Sequence, residues 1–238
     1  LLASIDDGKG GINSARLEIQ LGPAVPVTIE GVTDTTTGFA RAVIHEIAAN
    51  GASGCDLIEL RVVEGGSLLG FKLKERTAAL FEFPEMTVSS NDLIVVHMNS
   101  ANTSECNTGN AASETTAKDA YPAATYSANT DQAYDVYSTD TGLVATTNVI
   151  TLEKEEVILD AVLVSDLSTG TAATATEESA ATVANAGQWT ALDGSIPSGG
   201  FIDEAFCSHA VSGLGSSTGI KSLQRMSLLD SNHKGDWS

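Results

Sequence analysis

Basic residues are scarce. Twelve Lys and Arg stand against 31 Asp and Glu in 238 residues, a formal net charge of −19. Phosphate binding relies on Lys and Arg to release counterions, and anionic membrane surfaces select polybasic segments. The charge balance therefore excludes nucleic acid and acidic lipid surfaces as expected partners. Long apolar runs are also missing. None reaches the ~18 residues that a membrane-crossing helix needs, so no membrane insertion is expected. Cysteine is limited to Cys55, Cys106 and Cys207, without the close cysteine or histidine pairs of a zinc site. Catalytic signatures are absent too. There is no Gly-x-Ser-x-Gly elbow, no Gly-rich phosphate loop and no His-Glu-x-x-His helix. Cys207 and His209 share a face if their segment is extended, and a thiol–imidazole pair can act as a nucleophile. Nothing nearby orients that histidine, so the chain is not read as an enzyme.

What the chain does have is a series of short apolar runs fenced by Gly, Asn, Ser or Asp. Residues 42–48 (AVIHEIA), 57–63 (LIELRVV), 68–73 (LLGFKL) and 93–98 (LIVVHM) read as strands with tight connections. Period-two alternation nominates Val43, Ile47, Ile58, Leu60, Leu69, Phe71, Phe83, Ile94 and Val96 as the core between two sheets. Strand character returns at 133–137 and 143–152. Residues 157–164 (VILDAVLV) are apolar enough for a central strand covered on both faces, with Asp160 in the middle. A carboxylate there must be hydrogen-bonded or face outward, because an unpaired buried charge is too costly. Residues 175–184 suit one short helix, and 223–228 a last strand. Residues 15–21 (ARLEIQL) alternate as a half-buried strand, while Pro26 demotes 24–29 to an edge or irregular segment. Two stretches, about 99–132 and 165–221, are rich in small polar residues and read as long loop insertions.

The ordered series carries a resemblance. Ile44-His45-Glu46-Ile47, Asp56-Leu57-Ile58-Glu59-Leu60, Ser67-Leu68-Leu69-Gly70-Phe71-Lys72-Leu73, Phe81-Glu82-Phe83-Pro84, residues 148–163 and Ser222-Leu223-Gln224-Arg225, with Asp236-Trp237, resemble lamin-tail domain motifs in the family's order. His45 replaces the family's usual Asn, and Leu57 and Phe71 replace Trp. The resemblance implies an all-β, immunoglobulin-like β-sandwich of lamin-tail type over 40–238, preceded by an N-terminal β arm over 1–39. Similarity to bacterial lamin-tail proteins further implies a secreted or cell-surface structural or adhesion module without a catalytic site. Leu1-Leu2-Ala3 is then expected to be the beginning of a mature chain or the remnant of a removed leader.

Several residues are candidates for a site. Glu46, Asp56 and Glu59 lie in or at the mouth of strand-like runs and would take calcium if they gathered at one end of the sandwich, since calcium needs six to eight oxygens. The alternative is that they bond backbone groups as framework residues. His45 and Glu46, being strand neighbours, are expected on opposite faces. Asp230, Asn232 and Asp236 superficially resemble a calcium loop. Lys234 sits where an oxygen donor belongs, and a simple turn placing Arg225 near acidic residues and Trp237 against the sandwich is the competing reading. Asp6-Asp7-Gly8 is a weaker cation candidate. If the strands after Cys55 and before Cys106 run antiparallel, those two cysteines form the favoured disulfide. Cys106–Cys207 is the alternative, and three free thiols also remain open. Leu17, Ile19, Leu21, Trp189 and Phe201 are candidate partner contacts.

Three functions follow from these features. The first is a self-assembling subunit of an extracellular filament, sheath or surface layer. The second is a monomeric binding or adhesion module for a glycan, cation or surface protein, with Trp189 or Tyr121, Tyr126, Tyr134 and Tyr137 as its platform. The third is a cysteine hydrolase through Cys207 and His209.

Overall fold

The β-branched and aliphatic runs fenced by turn residues do form strands, and they are too apolar on one face to stand alone. The computed structural model describes residues 2–6, 12–16, 38–49, 56–99, 133–144, 147–165, 173–191, 206–207 and 222–238. The chain divides into two units, Leu1–Thr36 and Thr37–Ser238.

The first unit holds one antiparallel pair, β1 (Leu2–Asp6) and β2 (Ile12–Arg16), with Leu2 opposite Arg16. Of the strand expected at 15–21, Ala15 and Arg16 lie in β2. Leu17, Ile19, Leu21 and the 24–29 segment lie outside the described residues.

The second unit is a β-sandwich. Its strands are β3 (Arg41–Ala48), β4 (Leu57–Glu64), β5 (Gly66–Ser67), β6 (Phe71–Glu75), β7 (Ala78–Glu82), β8 (Thr87–Val88) and β9 (Leu93–His97) in its first half. They continue as β10 (Ala133–Tyr137), β11 (Thr147–Lys154), β12 (Val157–Ser165), β13 (Phe206–Cys207) and β14 (Ser222–Gln224). Sheet I runs β10-β9-β4-β3-β14, sheet II runs β13-β12-β11-β6-β7, and β5 pairs with β8. Pairings are antiparallel except β9 with β10 and β12 with β13. The fold is an all-β, immunoglobulin-like sandwich, as the resemblance implied. One helix, α1 (Thr174–Asn185), occupies the expected helical stretch.

The core lies between the sheets. Ile44, Ile47, Ile58, Leu60, Ile94 and Val96 from sheet I meet Phe71, Leu73, Ile150, Leu152 and Val162 from sheet II, all buried. Val43 and Phe83 are buried as well. Leu69 is not: it is 46 % exposed. The run 68–73 is a turn before it is a strand. Leu69 N donates to Ser67 Oγ and Phe71 N to Leu68 O, while Gly70 takes φ 74°, so Leu68 fills the core position.

Three other boundaries differ for stated reasons. β11 begins at Thr147 because the amides of Leu143 and Val144 are taken by the carboxylates of Asp56 and Glu75. β14 ends at Gln224 because Arg225 bridges to Trp237 and its side chain turns inward. Beyond it Met226 and Leu229 are 65 % and 80 % exposed. β12 is covered on both faces only from Asp160 to Val164. A register shift at Leu152/Glu153 and the shortness of β13 leave Val157 and Leu159 exposed.

Gly66 marks where the chain enters the sandwich. A Cβ there would stand 2.3 Å from the carbonyl oxygen of Gly38, which accepts the Ser67 amide. We expect Gly66→Ala to push residues 38–40 off β5. The cost should be about 1–3 kcal/mol, the range for overpacking, read as a lower urea midpoint with unchanged m-value.

Candidate functional site

Three stretches far apart in sequence meet at one buried cluster. β3 has a bulge between Ile44 and Glu46: Ile44 faces Leu60 and Glu46 faces Glu59, so His45 is the extra residue. Ile44 and Ile47 both point into the core, so His45 and Glu46 both face outward. This corrects the expectation that they take opposite faces. A bulge inserts one residue and breaks strict alternation. The bulge also opens the Ile44 backbone. Its amide donates to Asp160 Oδ2 at 2.6 Å and its carbonyl accepts from Arg225 Nε at 2.8 Å. Asp160, on β12 of sheet II, accepts from Arg225 Nη2 on both oxygens, at 2.7 and 2.8 Å, and from the Ala161 amide at 2.8 Å. Both the Asp160 and Arg225 side chains are 1 % exposed. Burial, the largest influence on Asp160, pushes its carboxyl up to about 7, and the Arg225 charge opposes it. For Arg225, burial disfavours the charge most, but Asp160 and Asp230 outweigh it and raise the guanidinium pKa.

The tail closes over this pair. Asp230 Oδ1 accepts from Arg225 Nη1 at 2.9 Å and from the Asn232 amide. Asp236 accepts from Ser231 Oγ and from the Ser231 amide. Trp237 is buried, with the Arg225 guanidinium 4.6 Å from its ring centre. Asp230 and Asp236 are thus turned toward Arg225 and the turn's own donors, the arrangement of the competing reading of the tail. Partial burial works against ionisation of Asp236, but the Ser231 and His233 donors outweigh it and hold its carboxyl below the ordinary value of 3.8.

The other acidic candidates lie on the outer face of sheet I. One cross-strand row contains Glu46, Glu59, Val95 and Asp135. Glu59 Oε1 lies 2.5 Å from His45 Nδ1, and Asp135 Oδ1 lies 2.6 Å from buried His97 Nε2. Tyr137 stacks on His97 at 5.0 Å. Asp56 stands apart, at the mouth of β4, and accepts from Leu143 N. Among the described residues no group of three or more His, Cys, Asp or Glu is placed to hold a metal ion. The His97–Asp135 contact has no motif behind it, because 38 residues separate the two and only the parallel pairing of β9 with β10 aligns them.

Trp189 was a candidate partner contact. It is 1 % exposed within the single chain and belongs to its core. The reason is the anchor that follows it, where Thr190 N and Oγ1 both donate to Asn232 O. Tyr134 and Tyr137 sit on β10. Phe201, Tyr121, Tyr126, His209, Cys55, Cys106 and Asp7-Gly8 lie outside the described residues, and Asp6 and Cys207 are described only as strand positions. β4 and β9 are antiparallel neighbours with Leu57 opposite His97, which is the geometry assumed for a Cys55–Cys106 pair.

Exposed apolar side chains gather instead at one end of the sandwich. Lys154 Nζ stands 3.6 Å from the ring centre of Phe39 and pairs across strands with Phe71 and Val157. A Cβ on Gly70 would lie 3.9 Å from the same Nζ, which brings the Leu69-Gly70 turn alongside. Phe39, Leu69 and Val157 are 49 %, 46 % and 59 % exposed, and Leu159 is 37 % exposed. Along residues 157–163 of β12, no further strand lies beyond it among the described residues. Among the described residues, too, no helix is long and apolar enough to cross a membrane.

Fold and surface together define an immunoglobulin-like sandwich domain with an apolar end and, among the described residues, an unpaired edge along β12. Residues 40–238 match the family model TP_1001_2nd, described as a protein second domain, and the chain belongs to that family. No curated protein matches the chain.

Two outcomes test the buried cluster. Arg225→Met leaves the Asp160 charge buried and should cost about 3–5 kcal/mol, whereas Asp160→Leu combined with Arg225→Met should cost clearly less, measured by urea unfolding. A depressed folded-state pKa gives stability that is present above the ordinary carboxylate value and lost as pH falls through the folded value. Asp236→Asn should therefore lower stability by about 1–3 kcal/mol near neutrality and flatten its loss below pH 3.8, followed by tryptophan fluorescence.

Proposed function

We propose that this protein is a non-catalytic structural subunit of an extracellular or cell-surface assembly, its copies joined by β-strand and apolar end contacts. The observation that carries the reading is the apolar end of the sandwich beside residues 157–163 of β12, an edge among the described residues, where Val157 and Leu159 are exposed. Exposed strand edges are templates for pairing with another chain, and contiguous apolar surface marks interaction sites. The N-terminal unit supports it. Its described sheet has two strands, and a lone two-stranded pair is marginal in water, so it gains by adding to an existing sheet. The resemblance of the ordered motifs to lamin-tail domains, and the acidic, Lys-poor composition, agree with an extracellular setting. Self-association through apolar surface also suits a net charge of −19, because added salt screens the repulsion between copies.

A second reading is a monomeric binding or adhesion module for a glycan, cation or surface protein. A cleft of about 370 Å³ between α1 and sheet II, lined by Lys74, Arg76, Thr151, Glu153 and Glu156, favours it.

Sedimentation velocity and negative-stain imaging of the full chain separate the two. Assembly predicts oligomers or regular polymers that strengthen with salt. Val157→Lys with Leu159→Lys should abolish them while leaving the circular dichroism spectrum unchanged, since edge lysines block strand addition. A strictly monomeric chain at high protein and salt concentration would leave the binding module.

A further inference from the structure

The outer face of sheet II is polar in part. Beside Val149, Ala161 and Leu163, which are buried in one cluster with Ala180 and Val183 of α1, it carries charged and hydroxyl groups where a covering helix ordinarily meets apolar side chains. Lys74, Thr151 and Ala161 form one cross-strand row there, and Lys72, Glu153 and Ile158 the next. Lys74 Nζ lies 2.6 Å from Glu153 Oε2 and 3.2 Å from Glu156 Oε2. Thr151 Oγ1 donates to Glu153 Oε1 at 2.8 Å. Thr151 and Glu153 are buried, at 2 % and 7 % exposure. The helix is held mainly on one side, where Thr176, Ser179, Ala180 and Val183 are buried. Between helix and sheet a cleft of about 370 Å³ remains open.

Stability alone does not explain this arrangement. Burying ionised groups carries a desolvation cost that a well-packed apolar set avoids, and replacing such pairs with apolar residues is often neutral or stabilising. The lining has the makings of a ligand site instead. Its volume falls at the small end of the roughly 300–1,000 Å³ that ligand pockets span. Its charges balance: Lys74 and Arg76 stand against Glu153 and Glu156, so a charged ligand gains little net attraction. Donors and acceptors alternate. Ser179 and Thr182 already donate their hydroxyl protons to Ala175 O and Glu178 O, so their oxygens are left to accept. Glu153 and Glu156 accept, while Lys74, which already gives donors to Glu153 and Glu156, and Arg76, whose Nη2 serves Glu75, supply their remaining donors. Val149, Ile158 and Val183 form a small aliphatic wall.

We infer that the cleft between α1 and strands β6, β11 and β12 is a binding site for a neutral sugar of one or two rings, whose hydroxyls both donate and accept and whose C–H face meets that wall. The site does not depend on whether copies assemble, because its lining does not include Phe39, Leu69, Val157 or Leu159.

Saturation-transfer NMR on the full chain tests it, with methyl glucoside, N-acetylglucosamine and cellobiose as neutral probes and glucuronate and glucosamine as charged ones. The expected result is saturable, millimolar binding of at least one neutral probe. Thr182→Phe, at an exposed helix position in the lining, should weaken it by about tenfold, equivalent to 1.4 kcal/mol. Glu153→Gln should weaken it too, and circular dichroism checks that both variants fold. No saturable binding of any neutral probe overturns the inference. So does tighter binding of a charged probe, or affinity unchanged by Thr182→Phe in a folded protein.

Discussion

The Arg225–Asp160 pair is the constraint on which the sandwich depends. Asp160 belongs to sheet II, while Arg225 follows the last strand of sheet I, and each is 1 % exposed. Two ions taken from water recover their desolvation cost only when their geometry is good and their remaining bonds are made. Here they are made. Asp160 also receives the Ile44 amide, and Arg225 also serves the Ile44 carbonyl and Asp230. The bulge at His45 frees that backbone, so an irregularity in one strand fixes the register of two sheets and the course of the tail. A buried pair of this kind specifies one arrangement of the sheets, because any slip leaves a charge buried without its partner.

Around that centre the surface divides by role. Carboxylates that look like ligands in sequence are engaged by the protein itself: Glu59 by His45 and Asp56 by the Leu143 amide. The apolar residues left facing water are confined largely to the sandwich end, the β12 edge and the tail loop. Polar groups are also buried beneath α1, where Thr151 and Glu153 are covered. A surface that is acidic overall keeps its association confined to patches, since like charge repels elsewhere. This is why assembly and small-ligand binding can occupy separate faces.

Much of this was legible in the residues. Apolar runs fenced by turn formers located most strands, and seven of the nine nominated core positions lie between the sheets, because a strand between two sheets has a fixed period. Val43 is buried on the other face, opposite Arg61, because the bulge at His45 shifts the alternation. Leu69 failed because a glycine and a serine made a turn inside an apolar run. The cleft residues were overlooked, although the alternation Phe71-Lys72-Leu73-Lys74 and Val149-Ile150-Thr151-Leu152-Glu153 already showed one polar face on two strands. What it did not show was that α1 lies over that face.

By itself, then, the sequence determined the all-β class, the positions of most strands, the helix and the requirement that Asp160 be satisfied. Each follows from local period, turn chemistry or the cost of an isolated charge. Tertiary structure decided which partner satisfies Asp160, that His45 and Glu46 share a face, that Trp189 turns inward and that Val157 and Leu159 do not. Those outcomes depend on register shifts and on contacts between residues as far apart as Ile44 and Arg225. No local pattern encodes them, because they arise only when two sheets have already met.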